Sequence, residues 1–517
     1  MEHLYDKLME YAEGDDYPLH MPGHKRRTFG ALPKELFSMD ITEIPGFDDL
    51  HAPEGVLQSL QERIARLYGA EESFVLVGGS TAGILSALSS ALPEGGRLLM
   101  ARNCHKSAYH AAYLRDLAIT YLMPPVLSEF GICDGIRPEQ VEEALTADSE
   151  IQAVLIVSPT YEGRISPVRE IAEVVHQHGK ILIVDEAHGA HLGLAGNFKN
   201  SCQAGADLVI HSVHKTLPAM TQTALLHVNG DRVDRERLRR FLRIYQSSSP
   251  SYVLMASVDN AMAMIEQNGK GLFEEFSKNF TRMTDALSAC RHLRILAANS
   301  HNSQDLGKLL IHAGDSGLTG QQIYDILREK YHLQLEMAAG EYCLAMFTVG
   351  DTAEGYERTT KALLELDRSL QENHGTNVEQ DGPDLTRNAS AQDGCAAEWP
   401  TNPVPAVHSA QIAAKWVTPH VPAVHSAQTA AKWTMNPVPI VHRGLRKAWD
   451  AAYEEVSLDA CEGRIAAEFV NLYPPGTPIV APGEAFTKEI KEDLKRALSQ
   501  GLCTRGIFDA DKVRVIK

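Results

Sequence analysis

Between about residues 70 and 230, short β-rich apolar runs alternate with helical patterns, a rhythm that few folds accept. The runs are SFVLVGG, GRLLMA, AITYLM, IQAVLIVSP, KILIVDEA, DLVIHS and TALLHV. Runs that are apolar on both faces and separated by amphipathic stretches suit parallel strands buried between helices. The pattern predicts a doubly wound α/β domain built on a mostly parallel sheet. Ligands in such sheets bind beyond the carboxyl ends of the strands, so chemistry is to be sought just after each run.

The rest of the chain divides around this block. With 517 residues and 44% hydrophobic content, it can bury a large core and more than one domain. A long helical pattern near 252 to 290 is followed by KLLIHA, LQLEMA and EYCLAMFTVGD, which read as strands of a smaller α/β domain ending near 370. A polar, Ala/Pro-rich stretch follows, in which PAVHSAQIAAKW at Pro405 returns as PAVHSAQTAAKW at Pro422, a period of 17 residues. Two copies are too few for a solenoid, and such composition predicts a flexible linker, with docking through Trp416 and Trp433 as the other reading. The expected divisions are an N-terminal arm over 1–60, a large domain over 61–265, a small domain over 266–370, a repeat-containing linker over 371–440 and a C-terminal α+β domain over 441–517.

Charge and cysteine usage narrow the function. A net charge of -18 argues against nucleic acid or an acidic membrane as partner and favours a small molecule, a cationic one included. The N-terminus lacks the order of a signal peptide, and no apolar run is long enough to span a bilayer. The eight cysteines are scattered without a CxxC pair, as in a reduced, cytoplasmic protein.

Three strand ends carry unusual residues. In LVGGSTAGILSAL, Gly78 and Gly79 leave a strand, and Ser80 and Thr81 open a helix whose N–H groups and hydroxyls suit a phosphate, or an ordinary N-cap. In ILIVDEAHGAHLG, Asp185 ends a strongly apolar strand, where a carboxylate needs a cationic partner. The letters DEAH also suggest a helicase, but no GxxxxGK[ST] loop accompanies them, and His188 with His191 lacks the third ligand a metal site needs, so no metal is expected. In VIHSVHKTLPAM, Lys215 follows the next strand. Most lysines at strand ends are solvated, yet a phosphate cradle, a buried acid and a lysine on one sheet together match the needs of pyridoxal 5'-phosphate.

The segments MPGHKRR, GFDDLHAPEG, GGSTAG, RNCHKSAYHA, SPTYEG, VDEAHGAH, SVHKTLPAMTQTALLH, SSSPSY and YPPGTPIVAPGE carry a resemblance. The chain resembles the bacterial Orn/Lys/Arg decarboxylases of the PLP-dependent transferase-like fold (fold type I), particularly the shorter arginine or lysine decarboxylase branch; the segment over 371–440 departs from that pattern. The resemblance implies that Lys215 bears the cofactor, that Asp185 pairs with the pyridine nitrogen, and that Ser80, Thr81, Ser212 and His214, beside Gly79, hold the phosphate. It implies also that His105 stacks on the ring, that Ala187 and His188 pack its other face and oxygen side, and that Ser248, within Ser247 to Ser249, reaches the cofactor of a neighbouring subunit in a homodimer or higher oligomer. The implied reaction is decarboxylation of arginine or lysine, less readily ornithine, to a polyamine-pathway amine. For the substrate's distal cation, Glu484, Asp48 and Asp49 are candidates, while His24 and Lys25 either face the substrate entrance or fix the N-terminal arm. Rival readings are an aminotransferase or aldolase using the same strand ends, and a non-catalytic binding protein organised by the repeat.

Overall fold

Each of the seven apolar runs forms a five-residue strand of one sheet in the computed structural model, which describes residues 3–27, 33–194, 198–297, 303–374, 439–472, 477–499, 502, 504–509 and 511–517. In chain order the strands are β1 (Glu72–Leu76), β2 (Arg97–Ala101), β3 (Ala118–Leu122), the short hairpin β4 (Val126–Leu127) and β5 (Ile132–Cys133), then β6 (Ala153–Val157), β7 (Ile181–Asp185), β8 (Leu208–Ser212) and β9 (Ala224–Val228). The hairpin stands apart, and the sheet order is β1-β9-β8-β7-β6-β2-β3. From β8 to β3 every neighbour is parallel. At the other edge β9 runs antiparallel to both β8 and β1. That reversal, within a sheet otherwise parallel as expected, has a simple cause: residues 213–223 are too short for a parallel crossover, which takes about a dozen residues or more.

Helices cover the sheet, and its central strands are buried on both faces: all five residues of β8 and of β9 are buried. The helix Gly79–Ala91 is rich in Ala, Gly and Ser and packs on the sheet and on the helix Arg235–Tyr245. A 36-residue helix, Tyr252–Leu287, then carries a buried stripe including Met255, Met262, Phe273, Phe276 and Phe280 toward the smaller domain. It also anchors the N-terminal arm, since buried Asp259 pairs with buried Arg63 and accepts the Leu4 N–H at 2.6 Å.

The smaller sheet is antiparallel, in the order β10 (Arg294–Leu296), β11 (Lys308–His312), β13 (Tyr342–Met346) and β12 (Met337–Ala339). The C-terminal part adds β14 (Tyr453–Ser457) paired with β18 (Lys512–Ile516), and β16 (Pro478–Val480), β15 (Val470–Leu472) and β17 (Thr504–Arg505) in a second sheet. Its own core gathers Leu458, Val480, Phe486, Ile490, Leu494 and Val515. Within residues 1–371 and 433–517, the described residues form one compact unit. The 17-residue repeat, with Trp416 and Trp433, and residues 473–476 of the YPPG signature lie outside the described residues. The six described cysteines are free, and no described helix is long and apolar enough to cross a membrane.

Candidate active site

Three consecutive features of the sheet converge at one end. β1 runs into the helix Gly79–Ala91 through Gly79, whose φ of +70° is one that side-chain-bearing residues rarely adopt. Ser80 therefore stands at the helix start, where it accepts a hydrogen bond from Ser212 Oγ at 2.9 Å, while Thr81 is exposed. Ser212 is the last residue of β8, so this bond ties the helix start to the strand that leads to Lys215. Unpaired N–H groups at the helix start, two hydroxyls and the helix dipole make this corner receptive to an anion.

Asp185 is the last residue of β7, registered beside Ile210 of β8, and is only 5% exposed. Burial raises its pKa, against the pull of the Lys215 charge and of the Ala187 N–H that it accepts at 3.2 Å. Lys215 lies in the one-turn helix Val213–Thr216 directly after β8. Burial lowers its pKa, opposed by the negative charges of Asp185 and Glu336. A buried acid and a reluctant amine thus sit on adjacent strand ends, each acting on the other's charge.

Three histidines surround the lysine. His188, itself buried, places Nε2 3.0 Å from Lys215 Nζ and Nδ1 3.0 Å from the Nζ of a second lysine, Lys308. Desolvation and the two neighbouring lysines drive its pKa well below the ordinary range, so it is a neutral imidazole. His105 caps the helix Lys106–Leu114 through Ser107, and burial together with Lys215 pushes its pKa down to about 4. It is thus both a helix cap and a neighbour of the lysine. His214 bonds the Thr223 carbonyl at 2.9 Å, fixing its ring beside Lys215, and burial lowers it as well.

Lys308, Tyr161 and Glu336 were not singled out by sequence reasoning. The Tyr161 ring lies 4.5 Å from that of His188, and its hydroxyl donates to Glu336. Lys308 opens β11, in the smaller sheet, and its stem crosses Gly163: a Cβ there would stand 2.6 Å from Lys308 Cγ. Tyr161 lay within the quoted SPTYEG, but a lysine at the start of KLLIHA gives no sign of reaching a histidine 120 residues earlier.

The proposed substrate residues are committed elsewhere. Asp48 accepts the N–H groups of Glu54 at 2.8 Å, Gly55 at 2.7 Å and Leu57 at 3.0 Å, which hold its pKa down despite some burial. Asp49 accepts the His51 N–H at 2.8 Å, His24 pairs with Asp40 at 3.1 Å, and Lys25 donates to the His20 carbonyl. Glu484, 1% exposed, pairs with Arg102 at 3.0 Å and accepts the Ala481 N–H at 2.8 Å. Ser248 lies on an exposed turn. His191 pairs with Asp305 at 2.8 Å, and among the described residues no group of three or more His, Cys, Asp or Glu is arranged to hold a metal ion.

Comparison with known proteins places the chain in a family. Residues 2–316 match the family model for the Orn/Lys/Arg decarboxylase major domain and residues 424–499 that for the Orn/Lys/Arg decarboxylase C-terminal domain. The chain is 29% identical to an arginine decarboxylase of Bacillus subtilis over 99% of its own length and 97% of the relative's. It is 33% identical to the uncharacterized Bacillus subtilis protein YaaO, over 97% and 95% of the two chains. Among solved structures, lysine decarboxylase A from Pseudomonas aeruginosa superposes with a TM-score of 0.77 at 20% identity, covering all of this chain and 80% of that one. The architecture is the PLP-dependent transferase-like one, fold type I.

Proposed function

The chain belongs to the Orn/Lys/Arg decarboxylase family, and on that premise we propose that it decarboxylates a basic amino acid, arginine or lysine rather than ornithine, with pyridoxal 5'-phosphate as cofactor. The observation that carries the cofactor reading is the placing of Lys215, buried Asp185 and the Ser80–Ser212 corner at neighbouring strand ends. This donor set fits the cofactor's three poles. The hydroxyl-lined helix start suits a phosphate, the buried acid awaits a cationic ring nitrogen, and the amine, its proton affinity lowered, suits an aldehyde.

The cofactor would supply an electron-accepting ring for the electrons of the Cα–carboxylate bond. This chain's residues supply the rest. Asp185 would hold the proton at the ring nitrogen, and Ser80, Thr81, Ser212 and His214 would hold the phosphate. His105 and Ala187 would pack against the ring, and His188 would stand toward its oxygen. Once the carboxylate has left as carbon dioxide, Lys215 or His214 returns a proton to Cα. For the substrate's distal cation we favour Glu336, an exposed carboxylate whose charge acts on both Lys215 and Lys308, over the engaged Asp48 and Glu484. The product enters polyamine synthesis in the cytoplasm, and the working unit is a homodimer in which Ser248 serves the neighbouring site.

The test is to supply arginine, lysine and ornithine separately to the purified protein, following its visible absorption and the released carbon dioxide. A yellow protein that yields gas from arginine or lysine, with both signals lost in Lys215→Ala, is expected. A colourless protein that pyridoxal phosphate cannot reconstitute would overturn the reading. Glu336→Gln should raise KM far more than it lowers kcat.

A further inference from the structure

We propose that Lys308 is a positioning residue that shares a single proton with Lys215 through His188, and thereby keeps the Lys215 amine available as the free base. This rests on the reading of Lys215 as the reactive amine and adds to it a residue from the other domain. The geometry is specific. One imidazole bridges two amines, with Nε2 at 3.0 Å from Lys215 and Nδ1 at 3.0 Å from Lys308. A neutral imidazole offers one N–H and one lone pair. It can therefore accept from one ammonium only, and its N–H must point at an amine that has lost its proton. Two charged lysines cannot both be satisfied by this bridge.

Burial pulls both amines toward the free base, and the fully buried Lys308 feels the Lys215 charge as well. Around Lys308 stand Asp305, Glu336 and Glu162, three carboxylates, with the face of Tyr161 at 5.6 Å. Lys215 has Asp185, which burial makes easier to protonate, shares Glu336, and faces His188, His105 and His214. The bridge therefore holds one proton between the two amines, and whenever it sits on Lys308, which then donates to His188 Nδ1, the His188 Nε2–H donates to the free amine of Lys215. Burial also loosens the hold of Lys308 on that proton, bringing its pKa down to about 8, so the proton can move. Asp305 is fixed in turn by His191 at 2.8 Å and the Gly307 N–H at 3.1 Å, which keeps the acid in place behind Lys308.

The test reads the proton affinity of Lys215 directly and does not depend on turnover. The full-length protein, freed of cofactor, is briefly acylated with acetic anhydride across a pH series, and the Lys215 peptide is quantified by mass spectrometry. In the wild type the midpoint should lie below that of an ordinary lysine. Lys308→Met should move it upward by roughly one pH unit, and Lys308→Arg, which keeps the charge and a donor, should leave it near the wild-type value. A folded Lys308→Met protein whose Lys215 midpoint is unchanged or lower overturns the coupling. If Lys308→Met does not fold, the wild-type profile decides: a single step at the ordinary lysine value overturns it. Either failure leaves untouched the separate test of whether Lys215 binds the cofactor, which Lys215→Ala decides by colour.

Discussion

Replacing Glu484 by alanine should destabilise the protein without a matching defect in substrate binding. The carboxylate is 1% exposed, pairs with the 2% exposed Arg102 at 3.0 Å and accepts the Ala481 N–H at 2.8 Å. Arg102 is further held by the Tyr109 hydroxyl and the Ile479 carbonyl, so it cannot swing out to water. Removing the acid leaves a guanidinium charge buried and uncompensated, a loss of about 3–5 kcal/mol by analogy with other buried pairs. Removing both partners, in Arg102→Met with Glu484→Gln, leaves no orphan charge and should lose much less than the two single changes added together. The assay is the urea midpoint of the full chain by circular dichroism, set beside KM for the preferred amino acid. Unchanged stability in Glu484→Ala, with a KM raised many-fold, would refute this reasoning and return Glu484 to the substrate's side chain.

Other outcomes follow from the same structure. Glu186 is buried, accepts from Ser201 and meets His211 at 2.8 Å, and burial raises its pKa from 4.5 to about 8. A carboxyl raised in the folded state stabilises it fully below the unfolded value and loses that contribution as pH climbs through the folded value. Relative to Glu186→Gln, the wild type should therefore lose up to roughly 1.4 kcal/mol per pH unit between pH 4.5 and 8 in chemical unfolding, and a difference flat with pH would contradict this. Gly163→Ala should displace Lys308, because the added methyl meets its stem at 2.6 Å and the φ of +97° is strained for alanine; an acylation midpoint of Lys215 as high as that in Lys308→Met would show it. Ser212→Ala removes the donor to Ser80 and should weaken cofactor retention by about 1 kcal/mol, or roughly five-fold in the dissociation constant measured by fluorescence.

How much of this was legible in the sequence differs between the two domains. The seven strands were readable because burial on both faces writes itself as continuous apolar runs, and Asp185 and Lys215 stood out as polar residues ending such runs. The reversal of β9 was not readable, because it depends on how few residues the Lys215 turn needs before the next strand. Lys308 escaped for a different reason. A single lysine before KLLIHA looks like a solvated strand start, and only the packing of β11 beside Gly163 brings it to His188. Glu484 and Asp48 show the reverse: letters such as PGE and DD announce a charge, while the Arg102 guanidinium and the N–H groups that pair with that charge come from elsewhere in the chain or from an unmarked turn.

The central claim is that Lys215 is the amine that takes the cofactor. Borohydride reduction of the pyridoxal phosphate-loaded protein, followed by peptide mass mapping, tests it most directly. The account predicts a phosphopyridoxyl group on Lys215 alone, absent in Lys215→Ala even though Lys308 remains. A stable label on Lys308 or on another lysine, or none at all in a protein that still releases carbon dioxide, would contradict it.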